Sequence, residues 1–267
     1  MLVFFLIFFD FILVRGEDMA NKYTKTYEIN YSDVDSKLRC RISSIINFIC
    51  DIGTNQSEVL GDTIEVLTKK NIAWVFYKYD IKIYKYPMYR QKISITTEPY
   101  GFKKFYAYRR YIIKNEEGEI LGEAMALFFL IDIEKRRAIR IPKEQYELYD
   151  VDGDLKDKIK MDEIRVSDVE ENIKEYEVRY RDIDSNGHVN NVNYVEWAIE
   201  SVPLYVAKNF TIDRVKVVFE KETKYGQSIK VSCSTIEEEE NKLVTSHIIK
   251  NNEGVEVTKL ELEWKKE

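Results

Sequence analysis

Tyr27-Glu28-Ile29-Asn30-Tyr31-Ser32-Asp33-Val34-Asp35-Ser36 returns as Tyr176-Glu177-Val178-Arg179-Tyr180-Arg181-Asp182-Ile183-Asp184-Ser185, 149 positions further on. A second match follows in the same order. Ile112-Ile113-Lys114-Asn115 with Glu117-Gly118 reappears as Ile248-Ile249-Lys250-Asn251 with Glu253-Gly254, at an offset of 136. Two ordered matches predict two copies of one structural unit. The expected boundaries are 19–148 and 170–267, with the acidic, polar stretch 149–169 as a linker.

Around each copy the element order is the same. A strand is expected at 27–31 and at 176–180. A helix follows, marked by Ile42, Ile45, Ile46, Ile49 and Ile52 in the first copy and by Val192, Val195, Ile199 and Val202 in the second, all at helical spacing. Asn190 and Asn191 suit the start of the second helix, and Pro203 its end. Four strand-like runs come next, at 73–85, 91–99, 103–114 and 120–133, then at 213–222, 228–236, 242–250 and 255–264. One strand, one helix and four antiparallel strands make an α+β unit, a sheet wrapped around a central helix.

Composition narrows the function. The chain has 267 residues, 41 Lys+Arg against 47 Asp+Glu, and a net charge of −6, which argues against a nucleic-acid partner. Three cysteines, Cys40, Cys50 and Cys233, form no CxxC pair and read as reduced thiols of a cytoplasmic protein. With only two histidines, His188 and His247, no metal or cofactor site is expected, and His247 reads as a strand residue without partners. The 19 Tyr and 13 Phe suit strands, or a channel for something greasy. The apolar run 1–14 is shorter than the ~20 residues a membrane-spanning helix needs. Arg15-Gly16-Glu17-Asp18 resembles a translated ribosome-binding site, so residues 1–18 are read as a mis-annotated extension before a start at Met19. The competing reading is an atypical membrane anchor.

The chemistry concentrates in Asp182-Ile183-Asp184-Ser185-Asn186-Gly187-His188-Val189-Asn190-Asn191. If this segment is extended, Asp184, Asn186 and His188 share a face, and the helix that follows offers free N–H groups near Val189 and Asn190 to an oxyanion. The same residues also suit a plain capped turn. The first copy keeps Asp35 and Ser36 but has Lys37 and Arg39 in place of Asn186 and His188. Glu222, on a strand face shared with Glu220, has Tyr86 as its counterpart. A duplicated fold with chemistry in one copy would look like this. Asp150–Asp154 fails as a calcium loop because its glycine is misplaced and Met161 stands at position twelve. Lys135-Arg136-Arg137 with Arg140 is a basic patch that suits an acidic partner.

Asp184-Ser185-Asn186-Gly187-His188-Val189-Asn190-Asn191-Val192-Asn193-Tyr194, then Trp197 and Glu200-Ser201-Val202-Pro203, resembles the signature of acyl-acyl-carrier-protein thioesterases, across about residues 20–265. The resemblance implies a double hotdog fold and hydrolysis of fatty acyl thioesters on acyl carrier protein, in fatty acid biosynthesis. It implies Asp184, Asn186, His188 and Glu222 as catalytic residues. Thr223 follows Glu222 where many plant members carry a cysteine, so water rather than a thiol is the expected nucleophile. Glu222 is expected to activate that water, with His188 as the other possible base. Asn186 and His188 would orient it, and Asp184 would hold the constellation and tune His188. Trp74, Phe76, Phe105, Phe128 and Phe129 are expected along the acyl tunnel. The fused units suit a monomer, with a homodimer left open. An acyl-CoA thioesterase and a non-catalytic acyl-binding sensor are the alternatives.

Overall fold

A computed structural model describes residues 22–157 and 159–267; the segment 1–18 lies outside them. The first half runs β1 (Tyr23–Glu28), α1 (Ile42–Leu60), α2 (Ile64–Lys69), β2 (Ile72–Ile83), β3 (Lys92–Lys103), β4 (Tyr106–Asn115), β5 (Ile120–Asp132), β6 (Arg137–Ala138) and α3 (Lys143–Leu148). The second runs β7 (Lys174–Glu177), α4 (Asn191–Ser201), α5 (Leu204–Asn209), β8 (Phe210–Phe219), β9 (Ser228–Glu239), β10 (Lys242–Asn251) and β11 (Glu256–Lys266). The expected strand–helix–four-strand order therefore appears twice.

All the strands join one antiparallel sheet, in the order β1-β3-β4-β5-β2-β8-β11-β10-β9-β7, with β6 on β5. The seam between copies is β2 against β8, from Lys78↔Val218 to Lys82↔Arg214. Registers repeat as well: Thr97↔Tyr111 in the first copy is Cys233↔His247 in the second. The isolated bridges Val34↔Cys40 and Ile183↔Val189 are likewise equivalent.

Each half curls its sheet around its long helix. Ile45, Ile46, Ile49 and Ile52 of α1 are completely buried, as are Val195 and Ala198 of α4. Burial of one such aliphatic side chain is worth about 1.5–3 kcal/mol, so these helical stripes anchor the core. Pro203 ends α4, as expected from its sequence position.

Two edges differ from the sequence reading. The first strand of each copy stops early because Asp33 and Asp182 take the N–H groups of Asn30 and Arg179, winding a 3-10 turn over Tyr31–Asp33 and Tyr180–Asp182. The strand expected to reach 222 ends at Phe219, where the amides of Glu220 and Lys221 both donate to Val257 O.

The segment between the halves lies along the sheet face opposite the helices. Leu155 N donates to Phe102 O at 2.7 Å, and a Cβ on Gly101 would come within 2.7 Å of the Leu155 side chain. Further on, Arg165 pairs with Glu261 at 2.8 Å, and Lys216 reaches the same carboxylate at 3.1 Å. Burial pushes the Glu261 carboxyl up, but the hydrogen bonds from Arg165 and Lys216 outweigh this and hold it below its ordinary value.

Candidate active site

The loop before α4 is a tight turn, not an extended segment. Asp184 N donates to His188 O at 2.8 Å and Gly187 N to Asp184 O at 3.1 Å, with Gly187 at φ +78°. That left-handed backbone favours glycine. The Asp184 carboxylate caps the turn by accepting the Asn186 N–H at 2.8 Å. Asp182, salt-bridged to Arg179, gives its carbonyl to Asn190 N and to the Asn193 side chain, both at 2.9 Å. Asn190 then caps α4 through Val192 N at 3.1 Å. The loop is thus braced at both ends.

The first copy builds the same turn. Asp35 N donates to Arg39 O at 2.8 Å, the Asp35 carboxylate takes Lys37 N at 2.8 Å, and Leu38 holds φ +61°. The shared aspartates therefore shape the loop in both halves. What differs is the residue at the end of the turn. Arg39 binds Asp35, Thr211 and Glu267. Lys37 first, then Thr211 and Arg39, pull the Glu267 carboxyl down to about 2, so this site is closed by its own charges. In the second copy, His188 Nε2 lies 3.1 Å from Glu222 Oε2, and the Arg136 guanidinium donates to that same oxygen. Among the described residues Glu222 Oε1 has no partner.

Glu222 sits on the loop past β8 rather than on a strand face, and its neighbour Glu220 is paired with Lys259 at 3.2 Å. The loop is held by Val189 N, which donates to Thr223 O at 2.9 Å, and by the Tyr194 hydroxyl, which donates to Thr223 Oγ1 at 2.8 Å. This corrects the expected oxyanion donors. Val189 N–H is committed to Thr223 and Asn190 N–H to Asp182. The next amide along, Asn191 N–H at the first position of α4, has no partner among the described residues. Nor does Asp184 hydrogen-bond the His188 ring among the described residues.

Asp184, Asn186, His188 and Glu222 all line one cavity of about 1080 Å³, which runs into the first copy. Its walls include Trp74, Phe76 and Phe128; the last two rings pack at 4.1 Å. Phe105 and Phe129 are not on this wall. Phe105 is exposed, and Phe129 packs on Tyr77 and Tyr106. The cavity has a readable origin in the repeat. Cys50, Gly53 and Ala107 line it, and their counterparts in the second copy are Ile199, Val202 and Leu243. Small residues in one copy replace large ones in the other.

No thiol is poised for chemistry. Cys50 faces the cavity, but burial pushes it up to about 11, and burial likewise pushes Cys40 and Cys233 to about 12. The basic patch is largely engaged within the chain: Lys135 with Asp132, Arg136 with Glu222, Arg140 with Asp154. Sequence reasoning placed Arg136 in that patch and missed its place at the site. His247, expected to be without partners, is completely buried between Ser201 Oγ at 3.1 Å and Thr245 Oγ1 at 2.8 Å. Burial lowers its pKa to about 3.

The chain is a hotdog pair fused in one sequence, with His188 and Glu222 lining a cavity that runs into the first copy. Residues 20–149 match the family profile of the acyl-ACP thioesterase N-terminal domain, and residues 166–266 that of the acyl-ACP thioesterase C-terminal domain, so the chain belongs to this family. It is 22% identical over 264 residues to the chloroplastic palmitoyl-acyl carrier protein thioesterase of Gossypium hirsutum, covering 91% of this chain and 63% of that one. The chain thus spans under two thirds of that relative's length. A 12:0-ACP thioesterase from Umbellularia californica superposes with a TM-score of 0.82 at 21% identity, over 92% of this chain and 94% of that one. An acyl-ACP thioesterase from Bacteroides thetaiotaomicron gives 0.80 at 20% identity, over 91% and 98%. Both likenesses establish the double hotdog fold. Among the described residues no helix is long and apolar enough to cross a membrane.

Proposed function

We propose that the protein hydrolyses fatty acyl thioesters carried on acyl carrier protein, releasing free fatty acid in fatty acid biosynthesis. The observation that carries this reading is the His188–Glu222 pair, 3.1 Å apart, at one cavity with the aromatic walls of the first copy. In this reading residues 19–148 hold the acyl chain and residues 170–267 carry the chemistry, joined by 149–169. A reducing, cytoplasmic setting fits three unpaired protonated thiols.

Glu222 Oε1, the free oxygen, takes a proton from water as the water oxygen adds to the thioester carbon. His188 fixes the other carboxylate oxygen and steers the water. Asn186 and the Asn191 N–H donate to the carbonyl oxygen as it gains charge. The tetrahedral intermediate then expels the thiolate of the carrier's arm, which takes the proton held by Glu222. Asp184 acts on this chemistry by shaping the turn that carries Asn186 and His188.

The test offers acyl-carrier-protein and acyl-CoA thioesters of several chain lengths and measures free fatty acid. General-base groups contribute ~10²–10⁴ in rate, so Glu222→Gln and His188→Ala should each lose activity on that scale. Full activity in either variant refutes its role. No release from any thioester would refute the hydrolase.

A further inference from the structure

The wall of the cavity in the first copy is not uniformly greasy. Arg109 stands on the inward face of β4, between Ala107 and Tyr111, where alternation calls for apolar residues. Its guanidinium donates through Nη1 to Gln56 Oε1 of α1 and, at 3.3 Å, to Thr97 Oγ1, and it lies 5.6 Å from the centre of the Tyr149 ring. Among the described residues no carboxylate pairs with it. Next to it, the Tyr111 hydroxyl is completely buried and has no hydrogen-bond partner, although it lines the cavity. A Cβ on Gly53 would come within 3.3 Å of that hydroxyl, so the glycine lets it pack close against α1.

The second copy shows what a closed version of this place looks like. The counterparts of Arg109 and Tyr111 are Thr245 and His247. There the ring bonds Ser201 and Thr245, and Trp264 Nε1 donates to Thr245 Oγ1 at 2.9 Å, so that network is satisfied within the fold. The first copy keeps the polarity and replaces the closure with a cation and an orphaned hydroxyl, both on residues that line the cavity. Buried donors without acceptors are costly, and an acceptor supplied by a ligand is one way to offset that cost.

We propose that this wall recognises an oxygen substituent on the acyl chain, a hydroxyl or a carboxylate, with the Tyr111 hydroxyl and the Arg109 guanidinium as its donors. The inference rests on the acyl-thioester reading above and names the chain that site takes. A plain alkyl chain would lie along this wall and offer neither group an acceptor. An oxygenated chain satisfies both, and a site built to hydrogen-bond an oxygen rejects the analogue that lacks it.

The experiment measures equilibrium binding of acyl-pantetheine amides, which cannot be hydrolysed and carry no charge at the head. The series holds saturated chains, the same chains with a hydroxyl moved along successive carbons, and chains ending in a carboxylate. One substituent position should bind roughly tenfold or more tighter than the unsubstituted chain. Preference for hydroxyl or for carboxylate identifies which oxygen the wall takes. Tyr111→Phe, which removes one atom, and Arg109→Met should each flatten that ratio, with melting temperatures confirming that both fold. A flat series in the wild type, or variants that weaken every chain alike, overturns the proposal. Because binding needs no turnover, the series decides this point even if no thioester is hydrolysed, an outcome that would refute only the hydrolase reading.

Discussion

Arg136, from the turn between β5 and β6, and His188, from the loop before α4, meet on one oxygen of Glu222. One partner comes from each copy. The carboxylate that sequence assigns to the second copy is therefore oriented by both, and its other oxygen has no partner among the described residues.

Replacing Arg136 should disturb that orientation. Arg136→Gln is expected to lower kcat by roughly ten- to hundredfold with little change in KM, because a base held loosely loses its alignment. Arg136→Lys should recover part of the loss. A rise in KM alone, with kcat intact, would instead assign Arg136 to binding the carrier protein.

Chemistry by a thiol should be undetectable. With Cys50 pushed up to about 11 from an ordinary 9.0, its thiolate fraction at neutral pH falls about a hundredfold. Iodoacetamide should label the native protein far more slowly than the unfolded chain, and intact mass during turnover should show no acyl adduct. A covalent acyl adduct on Cys50 would reverse this conclusion.

His247 makes stability depend on acidity. Its folded pKa, about 3, is below the ordinary 6.5, so the folded state binds fewer protons than the unfolded one. Its contribution is complete above pH ~6.5 and is lost as pH falls towards ~3, by up to roughly 5 kcal/mol at 1.36 kcal/mol per unit. Urea unfolding of wild type and His247→Gln across this window checks it: the variant should show the shallower decline. Equal slopes would remove His247 as the cause.

The ion cluster beneath the linker makes a separate prediction. Lys216 and Glu261 are both buried, their side chains 6% and 0% exposed. Lys216→Met alone should destabilise by about 3–5 kcal/mol, since it strips a partner from a buried carboxylate. Lys216→Met with Glu261→Leu should recover much of that loss. Additive losses in the double variant, by denaturant unfolding, would argue against coupling.

Much of this architecture is written in local pattern. The isoleucine stripe of α1, the caps of α4 and the alternating strands follow from periodicities of 3.6 and 2, and the repeat supplies the pairing of copies. The helices α2, α3 and α5, six residues each, are too short to leave a periodic signal. At the site, the residue types were legible but their geometry was not. Asp184, Asn186 and His188 share the cavity because of a left-handed glycine, not because a strand aligns them. Arg136 was invisible because its partner lies 86 positions away, in the other copy. Separation in sequence also hid Arg109, whose meaning depends on a helix residue 53 positions away, Gln56, that no spacing rule connects to it.

The substitution of small for large between the copies has a thermodynamic consequence. The second copy fills its interior with Ile199 and Leu243, while the first leaves space at Cys50 and Ala107. An unfilled interior forgoes dispersion contacts and apolar burial that larger side chains supply at the equivalent positions of the second copy. A bound chain restores those contacts. Occupancy should thus raise the melting temperature, and the protein becomes its own thermometer for the chains it accepts.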